Sequence, residues 1–288
     1  MKKLMLVLVL MMVAVCNCAM TVKVLNVGQG DATLIQTGER AVLIDTGDAG
    51  EREKLERELA AAGCERLDAL ILTHGHADHI GNAAWLVRNY GVRVVYDNGK
   101  AVASRNYASY LKALVEAGAK REALAAGDVL DMGDGATFSV LASGEGERSV
   151  NDDSVCGRLE LGGFGMMFTG DASAALEEQI YERSVDLRSE VLKAGHHGSR
   201  TSSGLEFVEA VGPEYVIISA GTRYGHPHAA ALENYLIAGV DKANIYWTNK
   251  NGTVTIDTDG TVTTVTPELV DVWVDEYLGY RIVLRRIG

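Results

Sequence analysis

All seven histidines of the 288-residue chain fall in three short clusters, and the first follows directly on the apolar run Leu70-Ile71-Leu72. It reads Thr73-His74-Gly75-His76-Ala77-Asp78-His79. A strand ending at Leu72 would deliver these residues as a tight turn at the rim of a sheet. Imidazole nitrogens and a carboxylate oxygen are the donors that borderline divalent metals take. The chain therefore reads as built around a metal centre, with two ions. Surface histidines at a helix start are the competing explanation, and spacing and donor chemistry both count against it.

The rest of the sequence supports one large domain over residues 20–288. Lys2 and Lys3 precede the apolar stretch Leu4 to Val15, and small and polar residues follow at Cys16-Asn17-Cys18-Ala19. That order predicts a cleaved secretion signal over residues 1–19, hence a secreted or cell-envelope protein. The stretch is too short for a comfortable membrane span, and none is expected in the mature chain. The formal charge of −12 counts against tight nonspecific binding of nucleic acid. Beyond the leader only Cys64 and Cys156 remain, without metal-site spacing; they read as buried small hydrophobes, with a single disulfide the alternative.

Early segments are rich in strands and hairpins, and later ones alternate strand and helix. Val22 to Val27, Ala32 to Gln36, Ala41 to Ile44 and Leu67 to Leu72 read as strands, with a turn at Gly28-Gln29-Gly30-Asp31. Helices are expected over Glu51 to Ala62, Ile80 to Tyr90, Ser104 to Ala117 and Ala172 to Arg183. Asn251-Gly252 and Asp259-Gly260 are hairpin signals. Two packed sheets covered on both outer faces by helices fit this α/β order. The segment from Thr266 to Gly288 either extends a sheet or forms a partner surface.

Three further groups carry chemistry. Phe168-Thr169-Gly170-Asp171 ends an apolar strand, where a carboxylate is placed to bridge two cations. In Lys193-Ala194-Gly195-His196-His197-Gly198-Ser199-Arg200, one histidine is a metal ligand and the other a proton or hydrogen-bond donor. Ser199 to Ser203 at the following helix start, with their hydroxyls, backbone N–H groups and Arg200, suggest an anion site, with Lys193 as a phosphate contact; a capped helix and a strand-ending lysine are the plainer readings. In Tyr224-Gly225-His226-Pro227-His228, His226 is a ligand or acid and His228 lies outside the ligand sphere. Asp45 in Asp45-Thr46-Gly47 is either an ordinary turn residue or an orienting partner for a ligand histidine.

Taken in order, Val27-Gly28-Gln29-Gly30-Asp31-Ala32, Leu43-Ile44-Asp45-Thr46-Gly47, the first histidine cluster, Asn151-Asp152-Asp153-Ser154, Thr169-Gly170-Asp171, Gly195-His196-His197-Gly198-Ser199 and Tyr224-Gly225-His226-Pro227 resemble the metallo-β-lactamase fold superfamily. Within it, the chain resembles the C-terminal hydrolase-like domain of ComEC/Rec2 DNA-uptake proteins. The resemblance implies a four-layer αββα sandwich with a two-metal site at one edge. His74 and His76 would hold one ion, Asp78 and His79 the other, and Asp171 would bridge them. His197, with His196 close behind, would complete the second set. Many relatives place a further histidine before the bridging Asp; here Asn151, Asp152 or Asp153 stands in that segment, which would favour Mn²⁺ more than an all-imidazole site does.

The expected activity is that of a secreted metal-dependent hydrolase using a hydroxide shared by two divalent ions (Zn or Mn). A phosphodiester, DNA among them, is the expected substrate. Asp78 would orient the nucleophile and His196 or His226 would protonate the leaving oxygen. No protein partner is expected. The rival readings are a hydrolase of small esters or β-lactams and a noncatalytic, metal-stabilised binding module.

Overall fold

The computed structural model describes residues 19–145, 149–183 and 186–279, so the expected leader lies outside them except for Ala19. Strands β1 (Met20–Val24), β2 (Thr33–Thr37), β3 (Ala41–Ile44), β4 (Ala69–Leu72), β5 (Val94–Asp97) and β6 (Lys120–Ala123) begin one sheet. The second sheet holds β7 (Val129–Gly133), β8 (Ala136–Ala142), β9 (Cys156–Leu161), β10 (Phe164–Phe168), β11 (Val191–Lys193), β12 (Tyr215–Ile218) and β13 (Ile245–Trp247). The chain then returns to the first sheet with β14 (Val254–Thr258) and β15 (Thr263–Pro267), in the order β15-β14-β1-β2-β3-β4-β5-β6. The second sheet runs β13-β12-β11-β10-β9-β8-β7.

Strand alternation sorts the side chains into three apolar layers. Val42, Ile44 and Ile71 point inward with Phe138, Leu159, Met166, Phe168, Val191 and Ile217 of the facing sheet. Leu34, Leu43, Leu70 and Leu72 point outward under α1 (Arg52–Ala61), α3 (Ala83–Asn89) and α4 (Arg105–Ala117). On the far side Met167, Leu192, Val216 and Ile218 are covered by α5 (Ala174–Glu182), α6 (Leu205–Val211) and α7 (Ala229–Ile237). This is the expected αββα sandwich. No helix among the described residues is long and apolar enough to cross a membrane.

Two local expectations are corrected. The helix expected over Ile80 to Tyr90 is two helices, α2 (Ala77–Ile80) and α3. Gly81 is backed so closely on Gly47 and Ala49 that a Cβ would lie 2.3 Å from the Ala49 nitrogen. The Asn82 amide, beside it, donates to the Thr46 and Asp48 carbonyls. Tertiary contacts thus override the helical pattern. Asn251-Gly252 is not a hairpin turn: Asn251 ends α8 (Thr248–Asn251), and its side chain holds Trp247 N, Leu269 O and Asp271 O. Of the C-terminal segment, β15 extends the first sheet, and buried Trp273 and Val274 join the outer core of the second.

Candidate metal centre

Three turns meet where the strands end. The first cluster follows β4, Asp171 follows β10, and His196 and His197 follow β11. Two donor groups result, His74–His76–Asp171 and Asp78–His79–His197, each with ligand atoms within 4.8 Å of one another. Asp171 faces both. Its Oδ1 lies 3.2 Å from His79 Nε2 and 3.6 Å from His197 Nε2. Its Oδ2 lies 3.7 Å from His74 Nε2 and 3.5 Å from His196 Nε2. His76 Nδ1 is 3.0 Å from His74 Nε2, and Asp78 Oδ2 is 3.4 Å from His197 Nε2. Donors sharing one tetrahedral ion at ~2.1 Å sit about 3.4 Å apart, so these separations suit divalent metals.

The donor atoms themselves support that fit. His79 Nε2, His197 Nε2 and Asp171 Oδ1 are buried and make no hydrogen bond. Buried polar atoms without partners are costly, and three converging on one point mark a place for a cation. Each histidine is tied at its other nitrogen. His79 Nδ1 lies 2.7 Å from Asp45 Oδ2, so Asp45 is the orienting partner rather than an idle turn residue. Asp45 in turn accepts from Thr73 N and Thr73 Oγ1. His197 Nδ1 donates to the Ser219 carbonyl at 2.8 Å, leaving Nε2 to face the centre.

The electrostatics follow from this crowding. Burial alone would push the His79 imidazolium down, but the carboxylates of Asp171 and Asp45 hold it well above its ordinary value. His197 is pushed up to about 10, against its own burial, by Asp171 and Asp31. Asp171 is held well below the usual carboxylate range, against burial, by His79 and His197. His74, with less negative charge beside it, is pushed well down by burial and by His79.

Several expected site residues stand elsewhere. Lys193 is no phosphate contact. It occupies an inward strand position, level with Ile217 of β12, and its ammonium is buried 2.9 Å from each oxygen of Asp31. The backbone N–H groups of the anion site expected over Ser199 to Ser203 are taken up by the protein, Arg200 N by His228 Nδ1. Ser203 N and Gly204 N both donate to the buried Glu177 carboxylate. Ser199 is buried with its hydroxyl on Thr201 Oγ1, while Arg200 is exposed. Asn151, Asp152 and Asp153 join neither donor group. Asp152 instead accepts from Ser173 N at the start of α5. The residue that this loop brings in is Ser154, whose Oγ accepts from Asp171 N and lies 3.4 Å from His74 Nδ1.

The double histidine divides between the two sides of Asp171. His197 lies with Asp78 and His79, whereas His196 faces the same Asp171 oxygen as His74 and keeps 24% side-chain exposure. His226 packs against both, with ring centroids 5.7 Å from His196 and 6.1 Å from His197. Burial, reinforced by the charges of His197 and His228, pushes His226 down to about 4. This direction favours the neutral ring. Burial likewise lowers His196.

In sequence Asp31 is marked only as a turn residue. Its carboxylate lies 3.4 Å from His197 Nδ1, and its N–H donates to the Asp78 carbonyl. Gly30, at φ +118°, passes so close that a Cβ would stand 2.3 Å from that carbonyl oxygen. The turn Gly28-Gln29-Gly30-Asp31 is thus a wedge beneath Asp78 and His197.

Two packed sheets with paired histidine–aspartate groups at one rim define a metal-dependent hydrolase architecture. Residues 25–222 match the family model described as the metallo-beta-lactamase superfamily. The chain belongs to that superfamily. It is 34% identical over 255 residues to ComE operon protein 3 of Bacillus subtilis (strain 168), covering 81% of this chain and 32% of that protein. It is 31% identical over 231 residues to competence protein ComA of Neisseria gonorrhoeae, covering 76% and 30%. The chain therefore spans about a third of the length of these curated relatives. Among solved structures, the metallo-beta-lactamase fold protein YhfI from Bacillus subtilis aligns with a TM-score of 0.54 at 17% identity, covering 79% of this chain and 96% of that one. This likeness shows the fold.

Proposed function

We propose that the protein is a two-metal phosphodiesterase, with DNA among its substrates, acting outside the cytoplasm. The observation that carries the reading is the Asp171 carboxylate, with one oxygen toward each donor group. His74, His76 and Asp171, with His196 beside them, would hold one divalent ion, and Asp78, His79, His197 and Asp171 the other. A bound ion pair supplies an acidified water and neutralises charge on phosphoryl oxygens. Asp171 fixes the spacing of the two groups. Asp45 and the Ser219 carbonyl keep His79 and His197 in the tautomer that turns Nε2 inward. Asp78, 23% exposed, lies on the solvent side and can orient a nucleophile. His226 is a neutral N–H donor for the departing oxygen. Arg200 and Arg223, exposed and next in sequence to the second and third histidine clusters, would draw a phosphate toward an otherwise acidic protein.

Similarity to ComE operon protein 3 and competence protein ComA supports a polynucleotide over a lactam. The test is digestion of single- and double-stranded DNA by metal-stripped protein reloaded with Mn²⁺ or Zn²⁺, beside a chromogenic lactam. Metal-dependent DNA cleavage that disappears in Asp171→Ala supports the proposal. Lactam turnover without DNA cleavage, or undiminished cleavage by Asp171→Ala, refutes it. Export rests on the residue 1–19 pattern, and is tested by N-terminal sequencing of the protein from its producing cells: a start near residue 20 supports it and an intact Met1 does not.

A further inference from the structure

We infer that the C-terminal aromatic segment positions His226, with Tyr277 as the positioning residue. His226 sits on the connection from β12 to α7, whose residues 222–225 are exposed. Its own Nδ1 is buried without a hydrogen bond, so the ring is placed by its backbone and by ring packing. The connection is pinned at its ends by Gly221 N on Gln29 Oε1 and by His228 N on the Gly198 carbonyl. Between these points the phenol of Tyr277 reaches in. Its Oη donates to the Pro227 carbonyl at 2.8 Å and lies 3.5 Å from the Gly225 carbonyl, so it touches the residue on each side of His226.

The phenol is held in turn by a cluster of three aromatic rings. Trp247, Trp273 and Tyr277 meet edge to face, with centroids 5.2 to 5.6 Å apart. Trp273 is fully buried, and residues 274–279 are helical. The Trp247 indole N–H donates to the Ala220 carbonyl at 2.7 Å, just before the connection begins. One aromatic group therefore grips both the entry to this connection and the backbone around His226.

This inference rests on the proposed hydrolase reading only in its kinetic arm. The test uses the full chain with Tyr277→Phe, which removes the hydroxyl and keeps the ring. Amide hydrogen exchange over residues 222–228 should quicken about fivefold, the effect of one lost hydrogen bond. kcat on the phosphodiester should fall by a similar factor, with KM, bound Mn²⁺ and melting temperature as in the wild type. Tyr181→Phe, on exposed α5, should change none of these. Wild-type exchange in Tyr277→Phe overturns the inference, as does a fall in kcat matched by falls in bound metal and melting temperature. A wild-type protein that cleaves no phosphodiester refutes the hydrolase reading, and the exchange arm still decides the grip.

Discussion

Replacing Lys193 by Met separates two roles for that residue. Its ammonium lies 2.9 Å from both Asp31 oxygens, with side-chain exposures of 4% and 7%. Lys193 is the leading charge that, against burial, holds Asp31 below the usual carboxylate range. Lys193→Met leaves that carboxylate buried beside the His197 and His79 rings and the Asp45 and Asp171 carboxylates, without its ammonium partner. Removing one partner of a buried pair costs about 3–5 kcal/mol. At roughly 2–4 °C per kcal/mol for a domain of this size, the melting temperature should fall by about 6–20 °C. The assay is calorimetry on metal-stripped protein, with steady-state kinetics on the reloaded enzyme. Asp31→Leu/Lys193→Met should recover most of the loss, because an apolar pair needs no compensation. A melting temperature within about 2 °C of wild type in Lys193→Met, with KM raised, would return Lys193 to the substrate and refute the reasoning.

Asp45→Asn removes the carboxylate that orients His79, and should lower metal affinity about 10- to 100-fold in a chelator competition; the stripped protein should also melt lower, because the buried His79 loses one of the two carboxylates that hold it protonated. Glu177, raised by burial to about 7, is protonated more readily folded than unfolded, so its contribution is present below about pH 4.5 and lost as pH rises through about 7. Relative to Glu177→Gln, urea stability of the wild type should fall by up to about 3 kcal/mol across that window, and parallel pH profiles would count against a titrating Glu177. Cys64 and Cys156 are free, buried and raised in thiol pKa by burial, so neither should react with a thiol reagent until the protein is unfolded.

The sequence makes the donors legible because each polar cluster interrupts an apolar strand: His74 after β4, Asp171 after β10, His196 and His197 after β11. Partners set by distant chain are less legible. Asp31 takes its role from Lys193, 162 residues away, and Ser154 from His74, 80 residues away. Lys193 misled because a cation beside a histidine motif suggests phosphate, yet it shares the inward face of Val191 in a three-residue strand. β6, Lys120–Ala123, has four exposed residues and no alternation from which to read a strand. The glutamate that occupies Ser203 N and Gly204 N lies on another helix, so nothing local distinguishes that turn from an open anion site.

Asp45, His196 and His197 all adopt left-handed backbone, at φ 58°, 45° and 56°. For side chains bearing a Cβ this conformation costs about 1 kcal/mol or more per residue. The rim thus keeps its imidazoles aimed by holding the polypeptide in torsions that glycine would adopt without penalty. A selection for heat resistance alone would accept glycine at 196 or 197 and quietly discard the reactive face. Screens to toughen this scaffold need turnover scored alongside melting, or they will drift toward a sturdier and inert sandwich.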